Sequence, residues 1–351
     1  MRTPGPSTRR DVARRLLAGS TLLGTCLQAR PGIAEPSRLT PVRVDCHVHV
    51  NSPAIQAFLP QFCAAIARFG NCDPAFTAPL TVDDLLRQMD DAGVERALVL
   101  STAYLAESPM MATPPADAAE LGRSANDFTV GLAKRFPRRL GAFVSVHPLS
   151  EIALPEIERW RGAPHVSGLK LHLTSSMVDL RDRDHLQRLA AVVGAAAENR
   201  FAVVIHLGTA DPRFPAENVR NFVEQVVPAA KGSPIQVAHA GGWGGLDAKT
   251  LAALTAFAHA FERDPFLAKS IWFDLADVWR ADTPAADKLA LVALIRRIGP
   301  DRFVPGSDWP FSGGLKRYYS ALYPELPLSE GEWVVVRGNT PTYARPLIVG
   351  H

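Results

Sequence analysis

The stretch Val44-Asp45-Cys46-His47-Val48-His49 places two histidines one residue apart inside a β-forming run. Side chains alternate between the two faces of a strand, so we expect Asp45, His47 and His49 on one face and the residues between them on the other. Two imidazoles about 7 Å apart at Cα on one rigid strand are a good base for chelating a divalent metal ion. A polar patch without a metal is the other interpretation of this pattern alone.

Three later runs also end in polar residues of these kinds. Ala202–His206 and Ile235–His239 are apolar runs that end in histidine, and Phe303–Asp308 ends in a carboxylate. A single strand-end histidine is commonly a hydrogen-bonded structural residue. In a parallel barrel, however, the carboxyl ends of all strands converge on one mouth, where these side chains would meet. The repeated pattern therefore favours one functional site.

The chain alternates short β-rich runs with longer amphipathic ones, which predicts βαβ units and a parallel sheet. Eight strand candidates favour an α/β fold of the (β/α)8 TIM barrel type over an open doubly wound sheet, whose G-x-G-x-x-G fingerprint is missing. The strand candidates are Val42–Val50, Arg96–Ser101, Gly141–Val146, Gly168–Leu173, Ala202–Leu207, Ile235–His239, Ile271–Leu275 and Phe303–Ser307.

The predicted helices lie between these strands, and polar residues such as Thr81, Asp182 and Asp184 are candidate caps. Two connections, 51–80 and 102–115, are longer than a barrel needs, and both would lie as loops at the carboxyl-terminal face. The predicted helices are Val82–Ala92, Ala116–Phe136, Asp184–Asn199, Ala216–Ala229, Ala248–Phe261 and Ala285–Ile298.

The first long connection contains Cys63 and Cys72, nine residues apart. In an oxidising compartment these two thiols could close a small loop, or they could remain apart. Cys46, inside the first strand, is expected to be a buried free thiol.

Residues 1–34 have the pattern of an export signal, in which Arg9-Arg10 precedes the apolar stretch Leu16–Leu27. The arginine pair resembles the start of a twin-arginine signal, although Asp11 and the residues after it depart from that pattern. A helical or disordered extension is the alternative. The apolar stretch is well short of the roughly 20 residues that cross a bilayer, so we expect no stable membrane insertion.

Cleavage after Ala29 or Ala34 would leave 35–351 as a single barrel domain in the periplasm. Residues 1–34 carry six arginines and one aspartate, so the formal net charge of +3 becomes −2 without them. The remaining chain lacks a basic surface pattern, which argues against a nucleic-acid partner. A small-molecule substrate is the expected partner, and a homodimer is among the assemblies that the sequence leaves open.

In their order along the chain, these motifs resemble the amidohydrolase superfamily. The specific resemblance is to the amidohydrolase-related group that includes aminocarboxymuconate-semialdehyde decarboxylase-like enzymes, and it extends from Val42 to Leu347. The matching segments are Val44–His49, Gly168–His172, Val203–His206, Val237–His239, Gly299–Phe311 and Gly338-Asn339.

The resemblance implies a (β/α)8 barrel that binds one divalent metal ion, usually zinc. The implied ligands are His47, His49, His206 and Asp308, with His239 as a catalytic histidine. Three histidines and one carboxylate can hold Zn²⁺ and leave a position for a water whose pKa falls toward 7.

Three further residues are candidates for roles at the site. Binuclear relatives bridge two ions with a carboxylated lysine on the fourth strand, where Lys170 lies, but the Gly168–His172 pattern is usual in the mononuclear group. His172 would contact substrate or support a neighbouring ligand through a hydrogen bond. Arg280 would either clamp a substrate carboxylate at the barrel mouth or lie on the surface.

Metal-dependent hydrolysis of a small amide, ester or lactone is the function that these features favour. Asp308 would act as ligand and base, and His239 would orient the activated water or stabilise the oxyanion. Nonoxidative decarboxylation of an aromatic or unsaturated acid is the alternative on the same scaffold, and export favours hydrolysis. A non-catalytic binding barrel is the third reading. A serine hydrolase would need a G-x-S-x-G elbow, which the sequence lacks.

Overall fold

The computed structural model describes residues 40–209 and 211–345, where eight parallel β-strands form one sheet in the order β1 to β8. Helices alternate with the strands, which confirms the predicted (β/α)8 barrel. The strands are β1 (Val44–Val48), β2 (Arg96–Leu100), β3 (Leu140–Ser145), β4 (Val166–His172), β5 (Ala202–His206), β6 (Ile235–Val237), β7 (Ile271–Asp274) and β8 (Phe303–Val304).

Most helices have bounds close to the predicted ones, and the helices Val82–Ala92 and Ala285–Ile298 match them. The predicted helix Ala216–Ala229 is instead α7 followed by a π-helical and a 3-10 turn. The α-helices are α1 (Pro53–Ile66), α2 (Pro74–Thr77), α3 (Val82–Ala92), α4 (Ala118–Arg135), α5 (Ala153–Arg159), α6 (Arg183–Glu198), α7 (Pro215–Asn221), α8 (Ala248–Arg263), α9 (Ala285–Ile298), α10 (Leu315–Arg317) and α11 (Glu330–Gly338).

Capping side chains explain where two of these helices begin. Thr81 accepts a hydrogen bond from the backbone N–H of Asp84, whose carboxylate accepts one from the backbone of Thr81, and this capping box starts α3. Asp182 accepts the backbone N–H groups of Asp184 and His185 at the start of α6. Of the two caps predicted for α6, Asp182 is therefore the one used.

The connection after β1 is helical, whereas the sequence predicted a long loop. Residues 51–80 contain α1 and α2, and Ser52 caps α1 by accepting the backbone N–H of Ile55. The apolar side chains of α1 pack in a small core with those of Ala103–Leu105, a 3-10 turn after β2. Both long connections thus form a structured wall at the carboxyl-terminal end of the barrel.

A disulfide bond crosses this wall. Cys63 in α1 is bonded to Cys72, with Cα atoms 5.7 Å apart, while Cys46 is a buried free thiol. Of the two alternatives that the sequence left open for these cysteines, the structure shows the bridged one.

The first strand departs from simple alternation, and one predicted face is wrong. The register between β1 and β2 shifts between Asp45 and Val48, as in a β-bulge. Cys46 packs inside the barrel with residues of β2, β3 and β5, and His47, the next residue, also faces inward. Asp45 does not share the face of His47; its Oδ1 accepts the backbone N–H of Ser307 at 3.0 Å.

Hydrogen bonds between β1 and the chain after β8 close the barrel. The N–H of Cys46 donates to the carbonyl of Pro305 at 2.9 Å, and the N–H of Asp308 donates to the carbonyl of His47 at 2.8 Å. The backbone N–H of His49 donates to the carbonyl of Trp309 at 2.7 Å. Closure therefore holds the histidine pair and Asp308 side by side.

Among residues 40–209 and 211–345, none of the helices combines the length and the apolar character needed to cross a bilayer. The predicted export signal at 1–34 lies outside the described residues.

Candidate metal centre

A cavity of about 360 Å³ opens at the carboxyl-terminal mouth of the barrel, where such barrels place their active sites. Every side chain that the sequence selected for the site lines this cavity, and Lys170 lines it as well. The selected residues are His47, His49, His172, His206, His239, Arg280 and Asp308.

His47, His49 and Asp308 form a cluster of close polar contacts in the cavity. The Nε2 atoms of the two rings lie 3.2 Å apart. Each of them is 3.3 Å from Oδ1 of Asp308. Burial raises the pKa of Asp308, but the His47 and His49 rings lower this pKa by more than burial raises it. The carboxylate is therefore ionised.

Hydrogen bonds fix the proton of each ring on Nδ1, the nitrogen that lies away from Asp308. Nδ1 of His47 lies 2.9 Å from Oδ2 of Asp274, and Nδ1 of His49 lies 2.8 Å from the carbonyl oxygen of Leu100. An ionised carboxylate and a carbonyl only accept, so each Nδ1 donates, and in the tautomer that this selects Nε2 carries a lone pair. Burial lowers the pKa of His47 to about 4, which keeps this ring neutral at pH 7.

Two lone pairs and a carboxylate oxygen therefore face one another without an intervening proton. This arrangement is repulsive unless a cation lies between the three atoms. Ligand atoms bound at about 2.0–2.2 Å to a tetrahedral zinc ion are about 3.3–3.6 Å from one another, close to the spacing observed. The donor set also suits Zn²⁺, since imidazole and carboxylate are common ligands of that ion. The residues present thus fit a divalent metal ion.

His206 and His239 both lie beside this group. Nε2 of His206 is buried and has no hydrogen-bond partner among the described residues. Nδ1 of His239 donates to the carbonyl of Ala276 at 2.7 Å, so its Nε2 also carries a lone pair. The two ring centroids are 5.1 Å apart. One donor atom from each of His47, His239 and Asp308 lies within 4.8 Å of the other two, so His239 as well as His47 is within reach of an ion beside Asp308.

His239 reaches the cavity through a turn rather than a strand. β6 ends at Val237, two residues earlier than predicted, and Val237 belongs to the core outside the barrel. Continued alternation would also have directed His239 outward. Instead His239 has a left-handed backbone with φ 53°, as has Asp308 with φ 56°. Such conformations cost a non-glycine residue roughly 1–3 kcal/mol and are concentrated at functional sites.

His172 carries its proton on the opposite nitrogen from His47, His49 and His239. Its Nδ1 accepts the backbone N–H of Ser175 at 3.2 Å, so the neutral ring has the hydrogen on Nε2 and acts there as a donor. The ring stacks on His206 with centroids 4.0 Å apart. His172 is therefore arranged to donate a hydrogen bond rather than to ligate a metal.

Two cationic side chains line the cavity in different surroundings. Arg280 has a side chain that is 61% exposed, and its Nη2 lies 2.9 Å from Oδ2 of Asp277. Lys170 is 1% exposed and faces the barrel interior from β4. Burial lowers the pKa of Lys170 to about 8, so the ammonium is still its main form at pH 7.

The outer wall of the cavity is aromatic. Phe62 of α1 and Phe76 of α2 belong to this wall, and the ring of Phe76 stacks on that of Phe311 with centroids 5.7 Å apart. Trp243 stands edge-on to His206 across the mouth, at 5.8 Å. A small molecule with an apolar or planar part would fit this wall.

The sequence analysis missed Asp274, a fully buried carboxylate at the end of β7. Its oxygens accept from the His47 ring, from the amide of Gln236 at 2.7 Å and from the backbone N–H of His239 at 2.8 Å. Although burial raises the pKa of Asp274, the His47 ring and these donors lower it to about 2. The run Ile271–Asp274 ends in a polar residue as β5 does, and that signal could have identified it.

Comparison with known proteins gives one family match by sequence. A family model described as amidohydrolase matches residues 44–332. No protein with a curated description is similar enough in sequence to count as a relative.

Several solved structures share the fold. A 5-carboxyvanillate decarboxylase from Sphingomonas paucimobilis matches with TM-score 0.56 and 16% identity over 85% of this chain and 97% of its own. A probable 2-pyrone-4,6-dicarboxylic acid hydrolase from Acinetobacter baumannii matches with TM-score 0.51 and 16% identity over 84% and 96%. An amidohydrolase from Burkholderia multivorans with bound zinc matches with TM-score 0.52 and 19% identity over 87% and 100%. At these identities the likeness is one of fold.

Removal of the charge of Asp274 should weaken metal binding. In Asp274→Asn the partner of the His47 ring is neutral, so Nε2 becomes a poorer electron donor and the ring is held less firmly. We expect metal affinity to fall about 10- to 100-fold, the usual effect of losing such a partner. Competition with a chelator of known affinity measures this change.

Asp277→Asn is the matched control, because Asp277 is a carboxylate near Asp274 in the chain that pairs with Arg280 and not with an imidazole. The metal affinity of this variant should remain within about threefold of the parent's. That change is smaller than the loss expected when the partner of a ligand is removed. Equal affinities for the parent and Asp274→Asn would contradict the role given to Asp274.

Proposed function

The chain belongs to the amidohydrolase family, and we propose that it is a metal-dependent hydrolase acting on a small amide, ester or lactone. One observation carries the proposal: the lone pairs of His47 and His49 and the carboxylate of Asp308 converge at 3.2–3.3 Å in a cavity open to small molecules. Members of this family are metal-dependent enzymes, which argues against a non-catalytic barrel.

We assign His47, His49, His206 and Asp308 as ligands of one divalent ion, most simply zinc. Three nitrogens and one carboxylate are the donor set of a catalytic zinc site with an open position. The related fold from Burkholderia multivorans was crystallised with bound zinc, which supports this choice of metal. When bound, such an ion lowers the pKa of a water toward 7 and polarises a carbonyl oxygen.

Asp308 is the proton carrier of the proposed reaction. Its second carboxylate oxygen accepts a proton from the attacking water and later passes that proton to the leaving oxygen or nitrogen. A carboxylate that the neighbouring rings keep ionised is ready for the first step without a prior loss of a proton.

His239 orients the attacking water. Because the carbonyl of Ala276 holds the proton on Nδ1, the Nε2 of His239 accepts a hydrogen bond and does not donate one. In this tautomer the ring aligns the water for attack, and of the two roles expected from the sequence this arrangement favours orientation over oxyanion stabilisation.

Nonoxidative decarboxylation of an aromatic or unsaturated acid is the second candidate. The buried ammonium of Lys170 places a cation in the cavity, beside an aromatic wall that suits a planar acid. The fold likeness to the 5-carboxyvanillate decarboxylase also supports this candidate.

A product assay separates the two reactions. Zinc-loaded protein is incubated with a panel of small lactones, esters and amides and with a panel of aromatic and unsaturated acids. We expect the first panel to release acid, which titration at constant pH measures. This release should stop on chelation and return with Zn²⁺. Carbon dioxide release from the second panel alone would assign the decarboxylase instead. Turnover that survives complete metal removal would refute both.

Three variants test the roles of the individual residues. His239→Ala should keep about one metal per chain and lose on the order of 10²-fold or more in turnover, the scale of one catalytic group. His206→Ala should lose the metal. In Asp308→Asn the amide oxygen can still approach the ion but cannot accept a proton, so turnover should fall further than metal content. Elemental analysis beside turnover measures these effects, and an empty His239→Ala with a full His206→Ala would reverse the two roles.

We also propose that the protein is exported and acts in the periplasm. The twin-arginine-like pattern of residues 1–34 suggests the route, and the Cys63–Cys72 bond is of a kind that persists in oxidising compartments. Protein recovered from the periplasm should begin near Arg30 or Glu35, and denaturing thiol titration should find two more thiols after reduction than before. An intact Met1 on that protein would contradict export, and an unchanged thiol count would contradict the bridge.

A further inference from the structure

Lys170 is a buried cation whose side chain has no partner of its own. It lies on β4 at 1% exposure, and among the described residues no hydrogen bond or ion pair is made by its ammonium, on which the more distant charges of Asp274 and Asp308 act. The neighbouring residues Leu169 and Leu171 pack in the core outside the barrel, so alternation directs Lys170 inward to the cavity that it lines. A buried charge without a partner is costly, which calls for an anion at this place.

The carboxylates near Lys170, those of Asp274 and Asp308, already interact with other groups. Asp274 accepts from the His47 ring, from Gln236 and from the N–H of His239. Asp308 belongs to the metal centre with His47 and His49. The two carboxylates that act electrostatically on Lys170 are thus engaged with other groups, and Asp73, another carboxylate of the lining, is exposed and caps α2 by accepting the N–H of Ala75. Arg280 differs from Lys170, because Asp277 already balances its charge at the rim.

His172 adds a hydrogen-bond donor on the same strand face. It follows Lys170 by two residues, so the two Cα atoms are about 7 Å apart and both side chains line the cavity. Its Nδ1 is occupied by the N–H of Ser175, which leaves Nε2–H as the free end of the ring. Stacking on His206 at 4.0 Å holds the ring in place.

We propose that Lys170 and His172 bind a carboxylate group of the substrate, so that the enzyme selects small molecules carrying a free carboxylate. One ammonium and one neutral N–H match the single charge and two oxygens of a carboxylate. The doubly charged phosphate group would demand more cations than these. The proposal rests on the proposed function and names the substrate class: a lactone, ester or amide with a carboxylate away from the bond that is cleaved.

Ligand binding tests the proposal without turnover. The probes are benzoate and benzamide, which have nearly the same shape and differ in charge, and calorimetry measures both dissociation constants on zinc-loaded protein. We expect Lys170→Met to weaken benzoate binding by at least tenfold and to leave benzamide within about threefold, with zinc content unchanged. Lys170→Arg should restore part of the benzoate affinity, and His172→Leu should weaken it by a smaller factor.

Lys288→Met is the matched control, because Lys288 is also buried but pairs with Glu325 away from the cavity. It should bind both probes as the parent does. Equal benzoate affinity in the parent and Lys170→Met would overturn the proposal. So would loss of zinc from Lys170→Met together with a carbamate signal from the parent in isotopically labelled bicarbonate, which would make Lys170 a metal ligand.

The two proposals can fail separately. If benzoate binding depends on Lys170 and no hydrolysis is found, the proposed reaction is wrong and the carboxylate site stands. If neutral lactones are hydrolysed with the same KM by the parent and Lys170→Met while benzoate binding is also unchanged, the reaction stands and the carboxylate site is refuted.

Discussion

The mutual repulsion of electron-pair donors at the barrel mouth is the constraint on which the rest of the site depends. The Nε2 lone pairs of His47 and His49 and an oxygen of Asp308 lie 3.2–3.3 Å apart, and partners behind the two rings hold the protons on the other nitrogens. A cation bound between these atoms removes the repulsion. The buried Asp274, the β1–β8 closure and the carbonyl of Leu100 all serve to maintain it.

The barrel holds these donors by departing locally from regular strands. A register shift in β1 places His47 inward beside Cys46, and a left-handed turn after β6 places His239 inward as well. On β4 regular alternation is retained, and it directs Lys170 and His172 to the same cavity. The metal donors and the proposed carboxylate site are thus adjacent but chemically opposite: the first presents lone pairs and the second presents hydrogen atoms.

Much of the fold followed from hydrophobic periodicity and capping residues. The eight strands and the bounds of α3 and α9 were predicted, because they depend on local pattern and on barrel topology. The meeting of the histidines with Asp308 was also predicted, although His239 reaches the cavity through a turn and not from a strand end. The register shift at Asp45, the helical character of 51–80 and the partners of Asp274 were not predicted. These features depend on contacts between distant segments, such as Asp45 with Ser307, that a single sequence does not display.

The location of the metal is the most direct test of the account. Anomalous X-ray diffraction at the zinc edge, from crystals of the zinc-loaded protein, locates the ion independently of activity. The account predicts one peak per chain, about 2.0–2.2 Å from nitrogens of His47, His49 and His206 and from the carboxylate of Asp308. The absence of a peak among these residues, or two peaks bridged by Lys170, would contradict it.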